Sequence, residues 1–163
     1  AGDDLGDLMV DSAGVQRDIS LPPGAVRSSH IAEMRAVAAA RLPEAISQVV
    51  TAVEQPFVQV VYDVEVEHMA FGRTCLIGDA GFVARPHAAA GTAKAAANAW
   101  ALADALARHS DVRDALAEWE IDQLELGRQL LARTRRVGMR SQFVGDWDPY
   151  DSDAFFRLRE DGE

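Results

Sequence analysis

Apolar and polar positions follow two different patterns along the first third of the chain. Short apolar runs within Leu8–Leu21, separated by the turn-forming residues Asp11–Gly14, predict two short strands. After a break at Pro22–Gly24, a helical pattern covers His30–Leu42, and a shorter one covers Pro43–Val53. The pattern therefore predicts a hairpin followed by two helices.

The segment 57–69 shows a clear alternation of apolar and polar residues. The apolar positions recur at every second residue: Val58, Val60, Tyr62, Val64 and Val66. Such alternation predicts a strand with one buried face. The next apolar run, Arg73–Gly78, does not alternate and predicts a strand that is covered on both faces.

Two longer helices are expected in the second half of the chain. The first begins near Ala90 or Gly91 and runs to about Arg108, with an apolar face predicted at Ala95, Ala99, Leu102 and Leu106. The second is predicted from Ser110, its expected cap, to about Gly138. Its stripe is Val112, Leu116, Trp119, Gln123, Leu126, Leu130, Thr134 and Val137.

The composition and the net charge indicate a globular protein and argue against some classes of partner. With 163 residues, 48% of them hydrophobic, the chain can bury a core, and its net charge of −10 argues against nucleic acid or an anionic membrane as a partner. Cys75 is the only cysteine, which excludes an internal disulfide. The sequence shows neither a signal peptide nor a long apolar run, so a cytoplasmic protein is expected. The acidic remainder, 144–163, is expected to fold against the body or a partner.

The stretch after Gly78 carries the candidate chemistry. Asp79 would lie at the carboxyl end of a strand, where open α/β sheets bind ligands, and sugar hydroxyls or backbone amides could donate to its carboxylate. The residues 88–93 have almost no side chains, so their amides and a helix N-terminus could approach a flat ligand. The alternative is structural, because Ala-rich helices pack closely and Gly-Asp is common in turns.

These residues resemble a known family. GDAGFVARPHAAAGTAKAAANAWALADAL, residues 78–106, is similar to the second flavin-binding motif of the FAD-dependent aromatic hydroxylases, the para-hydroxybenzoate hydroxylase group. The Arg-Pro-His and the Lys-Ala-Ala-Ala-Asn-Ala run resemble more specifically the dihydroxypyridine hydroxylase branch. The likeness is specific over 56–106 and looser over 8–53 and along the last long helix.

The resemblance implies roles at matching positions. Asp79 would hold ribityl or ribose hydroxyls of FAD, Gly78 would allow close approach, and the carbonyl of Pro86 would face the reaction space beside the ring. The amides at the helix start would meet the pyrimidine edge of the flavin. The implied cofactor-binding set is Gly78, Asp79, Pro86, Ala90, Gly91, Thr92 and Ala93.

Some positions depart from the family pattern. Phe82 replaces the usual His, which resembles the dihydroxypyridine branch, where Phe is tolerated. Gly81 replaces the second Ala of the motif. Ala93 occupies the position of a common Asn, which removes one flavin hydrogen bond.

Catalytic and substrate-binding residues are less sharply indicated. His87 could hydrogen-bond a substrate hydroxyl or act as its base, or it could order the loop. The resemblance places Gln59 and Tyr62, together with Pro86, beside the substrate, although core or surface roles fit both strand residues equally. The histidines show no metal-ligand spacing, so no metal site is expected.

The implied fold class is α/β. It comprises the C-terminal part of a three-layer, Rossmann-like FAD/NAD(P)-binding domain, part of a mixed β-sheet substrate domain, and C-terminal helices. We expect 1–66 to be part of the substrate-binding domain, 67–109 to carry the Gly-Asp motif and its helix, and 110–163 to form the long helix and tail. The Gly-x-Gly-x-x-Gly motif that holds the FAD pyrophosphate does not occur in the chain. A missing N-terminal FAD-binding segment is therefore an expected partner.

The implied activity is that of an FAD-dependent monooxygenase. NADH or NADPH would reduce FAD, O2 would form a flavin C4a-hydroperoxide, and one oxygen atom would enter a phenol or hydroxypyridine ring. The fragment is expected to be inactive on its own, and a homodimer stays open. The alternatives are a related flavoenzyme, such as an epoxidase or a reductase, and a non-catalytic fragment that acts as an interaction module.

Overall fold

Residues 2–146 are described by the computed structural model, except for the side chains of residues 2–4. They fall into two units, 1–60 and the part that begins at Val61. Most of the acidic tail predicted at 144–163 lies outside the described residues. None of the described helices is long and apolar enough to cross a membrane.

The first unit contains three helices and one short antiparallel sheet. Its elements are α1 (Gly2–Leu8), β1 (Ser20–Leu21), α2 (Ser28–Arg41), α3 (Glu44–Ala52) and β2 (Val58–Gln59). Ser20 pairs with Gln59 and Leu21 with Val58. Met9, Leu21 and Val26 form the core of this unit.

The predicted hairpin at Leu8–Leu21 is partly wrong. Leu8 ends a helix, and around the predicted turn only one isolated bridge joins Val10 and Gln16. The turn itself is confirmed, because the Asp11 carboxylate accepts hydrogen bonds from the amides of Ala13 and Val15. The two helices that follow, α2 and α3, are confirmed.

The long strand predicted over 57–69 is wrong as a single element. Val58–Gln59 pairs with β1 in the first unit, whereas β3 (Val64–Glu65) pairs with β6 (Phe82–Val83) in the second. A strand extends only as far as its partner supplies hydrogen bonds, and here the partner changes between the two short pieces. Alternation alone does not reveal that change.

The second predicted strand, Arg73–Gly78, is also shorter than expected. Only β5 (Thr74–Cys75) is formed, and it pairs with β4 (Ala70–Phe71) in a tight hairpin through Gly72 at φ 65°. Ile77 is exposed, so the run is not covered on both faces. Asp79 consequently lies in a 3₁₀ turn, Gly78–Ala80, after an antiparallel hairpin rather than at the end of a buried strand.

Two long helices organise the second unit. After a 3₁₀ turn at Pro86–Ala88, α4 (Gly91–Arg108) and α5 (Val112–Met139) pack against each other, and a π-helical turn, Arg140–Val144, follows. Their shared core consists of Met69, Phe82, Ala105, Ala115, Leu116, Trp119 and Leu131.

The predicted stripe of α5 is confirmed. Its members from Leu116 to Val137 are all buried, and Val112 is half-buried. Its cap is Asp111 rather than Ser110, because the Asp111 carboxylate accepts a 2.8 Å hydrogen bond from the amide of Arg113. Its predicted end near Gly138 is confirmed, because the helix ends at Met139.

The predicted apolar face of α4 is wrong by about one residue. Lys94, Asn98 and Ala105 are the buried positions, whereas Ala99 and Leu106 are exposed. Alanine provides little contrast between the faces of a helix, so the pattern did not reveal that the two polar residues lie on the buried side.

Candidate functional site

The centre of the candidate site is the 3₁₀ turn that carries Asp79. Gly78 adopts a φ of 60°, and a Cβ there would lie 3.2 Å from the Cβ of Ala95, so glycine is favoured both by backbone and by packing. Its amide donates a 2.9 Å hydrogen bond to Asn98 Oδ1. The Asp79 side chain is 76% exposed. The turn therefore holds a carboxylate at the surface on a fixed backbone.

Lys94 supports this turn from inside the protein. Its side chain is 1% exposed, and its Nζ lies 3.2 Å from Asp79 Oδ1. The same ammonium donates to the carbonyl of Phe82. One buried cation thus joins the two ends of the segment from Asp79 to Phe82.

A buried polar network continues behind the turn. Asn98, one helical turn after Lys94, donates a 2.9 Å hydrogen bond from Nδ2 to Gln123 Oε1 of α5. Trp119 Nε1 donates to the Asn98 carbonyl at 3.0 Å. Because these groups are mutually satisfied, they fix the relative position of α4, α5 and Gly78.

The start of α4 presents backbone amides rather than side chains. Ala89 adopts the left-handed conformation at φ 46°, and the cap, Ala90, is buried and provides no side-chain hydrogen bond. A Cβ at Gly91 would meet nothing within 4 Å, and the two residues that follow, Thr92 and Ala93, are exposed. The positive end of this 18-residue helix is therefore open to a ligand.

Pro86 and His87 occupy the preceding 3₁₀ turn, which packs against α5. Pro86 is exposed, whereas His87 is half-buried and its ring lies against Gly138. The Nδ1 atom of His87 is buried and has no hydrogen-bond partner. The ring is thus held by α5.

Arg85 faces Asp63 rather than open solvent. Its amide and Nε donate to Asp63 Oδ1, and Arg135 Nε donates to Oδ2 at 2.8 Å. Burial acts to raise the pKa of Asp63, but the hydrogen bonds from Arg135 and Arg85 outweigh it and hold that pKa below its usual value. This pairing ties the loop before Pro86 to α5.

The predicted site residues are thus only partly brought together. Gly78, Asp79 and the start of α4 lie side by side, with Pro86 and His87 on the turn that leads into α4. Tyr62 is exposed in the second unit, whereas Gln59 is exposed in the first and donates to the carbonyl of Ile19. Within the described part of the chain, no group of His, Cys, Asp or Glu is placed to hold a metal ion.

Sequence reasoning missed Lys94 and Asn98. One signal was present in the sequence, since Lys94 is the only lysine of the chain and Asn98 follows at i+4, which places both on one helix face. Nothing in the sequence indicated that this face was the buried one.

Comparison with known proteins shows which enzymes the chain resembles. A family model described as FAD binding domain-like matches residues 1–63. The 2,6-dihydroxypyridine 3-monooxygenase of Paenarthrobacter nicotinovorans is 34% identical over 148 residues, which cover 91% of this chain and 37% of that protein. The chain is a homologue of the FAD-dependent aromatic hydroxylases. The resemblance inferred from residues 78–106 is confirmed.

Solved structures of hydroxylases support the same conclusion about the fold. The 2,6-dihydroxypyridine-3-hydroxylase of Arthrobacter nicotinovorans matches with a TM-score of 0.86 at 33% identity, over 98% of this chain and 40% of that one. Klebsiella pneumoniae HpxO, solved with FAD and uric acid, shares the fold with a TM-score of 0.59 at 19% identity, over 71% of this chain and 32% of that one. The expected fold class is confirmed, and the chain spans about two fifths of the length of the dihydroxypyridine relatives.

Proposed function

We propose that this chain is part of an FAD-dependent monooxygenase that hydroxylates an electron-rich aromatic ring, a phenol or a hydroxypyridine, with NAD(P)H and O2. The observation that carries the proposal is the exposed carboxylate of Asp79, held beside the open N-terminus of α4. The 34% identity to a dihydroxypyridine monooxygenase over 91% of the chain supports the choice of substrate class.

The described residues fit a flavin. A surface carboxylate can accept hydrogen bonds from the hydroxyls of a sugar chain. Gly78, which packs against Ala95, would hold the turn that carries this carboxylate. The amides of Gly91, Thr92 and Ala93, together with the helix dipole at Ala90, would stabilise negative charge on a flat ring system. When bound, FAD would supply the redox and oxygen chemistry.

The remaining roles belong to the same proposal. Pro86 would border the reaction space with its carbonyl, and His87 would hydrogen-bond the ring hydroxyl of the substrate. Gln59 and Tyr62 would contact the substrate. The packing of the His87 ring on Gly138 would hold the imidazole in one orientation.

A further segment would have to complete the cofactor site. The chain carries no Gly-x-Gly-x-x-Gly sequence, so the FAD pyrophosphate would be bound by residues outside it. That segment is a proposed partner, as are the aromatic substrate and O2. Homodimerisation and a cytoplasmic location complete the proposal.

Titration of the protein with FAD in the presence of the pyrophosphate-binding segment, followed by flavin fluorescence, tests the assignment of Asp79. We expect Asp79→Ala to weaken FAD binding about tenfold or more, because a hydrogen bond to a charged group contributes about 1.5–3 kcal/mol. The matched control is Asp104→Ala, which removes an exposed carboxylate on α4. This variant should bind FAD as tightly as the parent does. Equal FAD affinity in the parent and in Asp79→Ala would remove the basis of the proposal.

Oxidation of NAD(P)H, measured in the presence of the pyrophosphate-binding segment, tests the substrate class. Hydroxypyridines and phenols should accelerate flavin reduction, whereas rings without a hydroxyl should not. Acceleration by neither class would contradict the proposed reaction even if FAD binds.

A further inference from the structure

Lys94 is a charged residue that is almost completely buried beside the candidate site. Its side chain is 1% exposed, although the carboxylate that it contacts is 76% exposed. Lysine is almost never fully buried unless it is paired. The chain contains no other lysine, so this ammonium is not one of many surface charges.

Packing does not account for an ammonium at this position. Removing a lysine charge from water costs several kcal/mol, and an ion pair with a solvated carboxylate returns little of that cost. A methionine would fill nearly the same volume without carrying a charge. The ammonium is therefore not needed to fill this space, which points to a role other than packing.

The contacts of Nζ indicate that role. One contact is with Asp79 Oδ1 at 3.2 Å and the other is with the Phe82 carbonyl, so the ammonium spans the turn between them. Gly78, at the start of the same turn, is held by Asn98 from the next turn of α4. Lys94 contacts Oδ1 of Asp79, which leaves Oδ2 to accept from a ligand.

We propose that Lys94 is a positioning residue that fixes the Asp79 carboxylate from the buried side, so that Oδ2 is presented to the hydroxyls of the flavin sugar chain. The part of this inference that concerns the flavin rests on the proposed function. The part that concerns the turn does not rest on the proposed function. The effect of Lys94 on the turn and its effect on flavin binding can therefore be tested separately.

Three variants of the full chain form the experiment: Lys94→Met, Lys94→Gln and the control Asp104→Asn. Met removes both the charge and the donor, whereas Gln keeps a donor for the Phe82 carbonyl. The readouts are the Tm, hydrogen exchange of the Ala80 and Gly81 amides, which close the 3₁₀ turn, and the Kd for FAD. The Val15 amide, bonded to Asp11 in the first unit, serves as an exchange reference.

We expect Lys94→Met to accelerate exchange at Ala80 and Gly81 by about tenfold or more without changing Val15, and to shift the Tm by less than about 5 °C. The Kd for FAD should rise about tenfold, with Lys94→Gln between Met and the parent. If the role of Lys94 were purely structural, Lys94→Met would instead lower the Tm strongly and accelerate exchange throughout the second unit. That result would overturn the proposal.

The two hypotheses fail in different ways. Faster turn exchange in Lys94→Met, combined with a parent chain that binds no FAD even when the pyrophosphate-binding segment is present, would retain the positioning role and reject the flavin. A parent that binds FAD and a Lys94→Met variant that binds it equally well, with unchanged exchange, would reject the positioning role and retain the flavin.

Discussion

The ring of Phe82 lies directly against Gly127 of α5, where a Cβ would come within 2.4 Å of the ring atom Cδ2. Phe82 is 1% exposed and sits at the centre of the core shared by α4 and α5. This contact explains how the segment after Asp79 tolerates a large apolar side chain: a glycine on the facing helix provides the space.

Gly127→Ala should therefore destabilise the protein, although alanine has the higher helix propensity. We expect a loss of about 1–3 kcal/mol in the free energy of unfolding, because the added methyl group overpacks the core. Denaturant unfolding measures it. Gly6→Ala, in α1 and with open space around it, is the matched control and should stabilise by about 0.5–1 kcal/mol. Gly127→Ala combined with Phe82→Leu should recover part of the loss, and a double variant no better than the single one would contradict the contact.

The network around Asn98 supports a second prediction. Asn98→Leu should cost about 2–4 kcal/mol, since it leaves the Gly78 amide and Gln123 Oε1 without partners and each unsatisfied buried group costs about 1–3 kcal/mol. In a double-mutant cycle, Gln123→Leu added to Asn98→Leu should cost less than it does alone. Gln129→Leu, on the exposed side of α5, should change stability by no more than about 0.5 kcal/mol. Strict additivity of the two buried substitutions would argue against a connected network.

The ion pairs of Asp63 predict a dependence of stability on pH. Its pKa in the folded protein lies below the usual value of 3.8, so the carboxylate stabilises the fold above about pH 4, and this contribution is lost as the pH falls through the folded pKa. Asp63→Asn should cost about 1–2 kcal/mol at pH 7, because its arginine partners are partly exposed, and almost nothing near pH 2. Unfolding curves between pH 2 and pH 7 measure the difference, with Asp104→Asn as the control. A difference that stays constant with pH would show that the pairing is not its origin.

The ring of His87 also packs against a glycine, Gly138, as the ring of Phe82 packs against Gly127. A Cβ on Gly138 would lie 2.8 Å from Cε1 of the imidazole, so Gly138→Ala should displace the ring and cost about 1–3 kcal/mol. In a His87→Ala background the same substitution should be nearly neutral, as measured by thermal unfolding. If the cost is the same in both backgrounds, atoms other than the imidazole occupy the space above Gly138.

Apart from α1, the helices were predictable because their signals are local. The stripe from Leu116 to Val137 has a helical period, and the breaks at Pro43 and Gly91 lie within one residue of an observed helix start. The strands were not predictable, because a strand is defined by a partner elsewhere in the chain. Val58 and Val64 lie in one alternating segment, but they pair in different sheets.

The residues of the candidate site could be proposed from the sequence for a similar reason and only to a similar extent. The order of Gly78, Asp79 and the bare helix start is contained in a short segment, and the resemblance to a family added their roles. The buried support of Lys94 and Asn98 depends on which face of an alanine-rich helix turns inward. Hydrophobicity does not show which face is buried, since Ala95 and Ala99 flank the two polar residues on the same helix.

The burial of the only lysine gives this molecule an unusual response to amine-reactive reagents. A succinimidyl ester reacts with exposed amino groups, and Lys94 Nζ can meet it only when the turn around Asp79 opens. Labelling at residue 94 would therefore count openings of the 3₁₀ turn at Gly78–Ala80 directly, with no background from other lysine side chains and without any engineered probe.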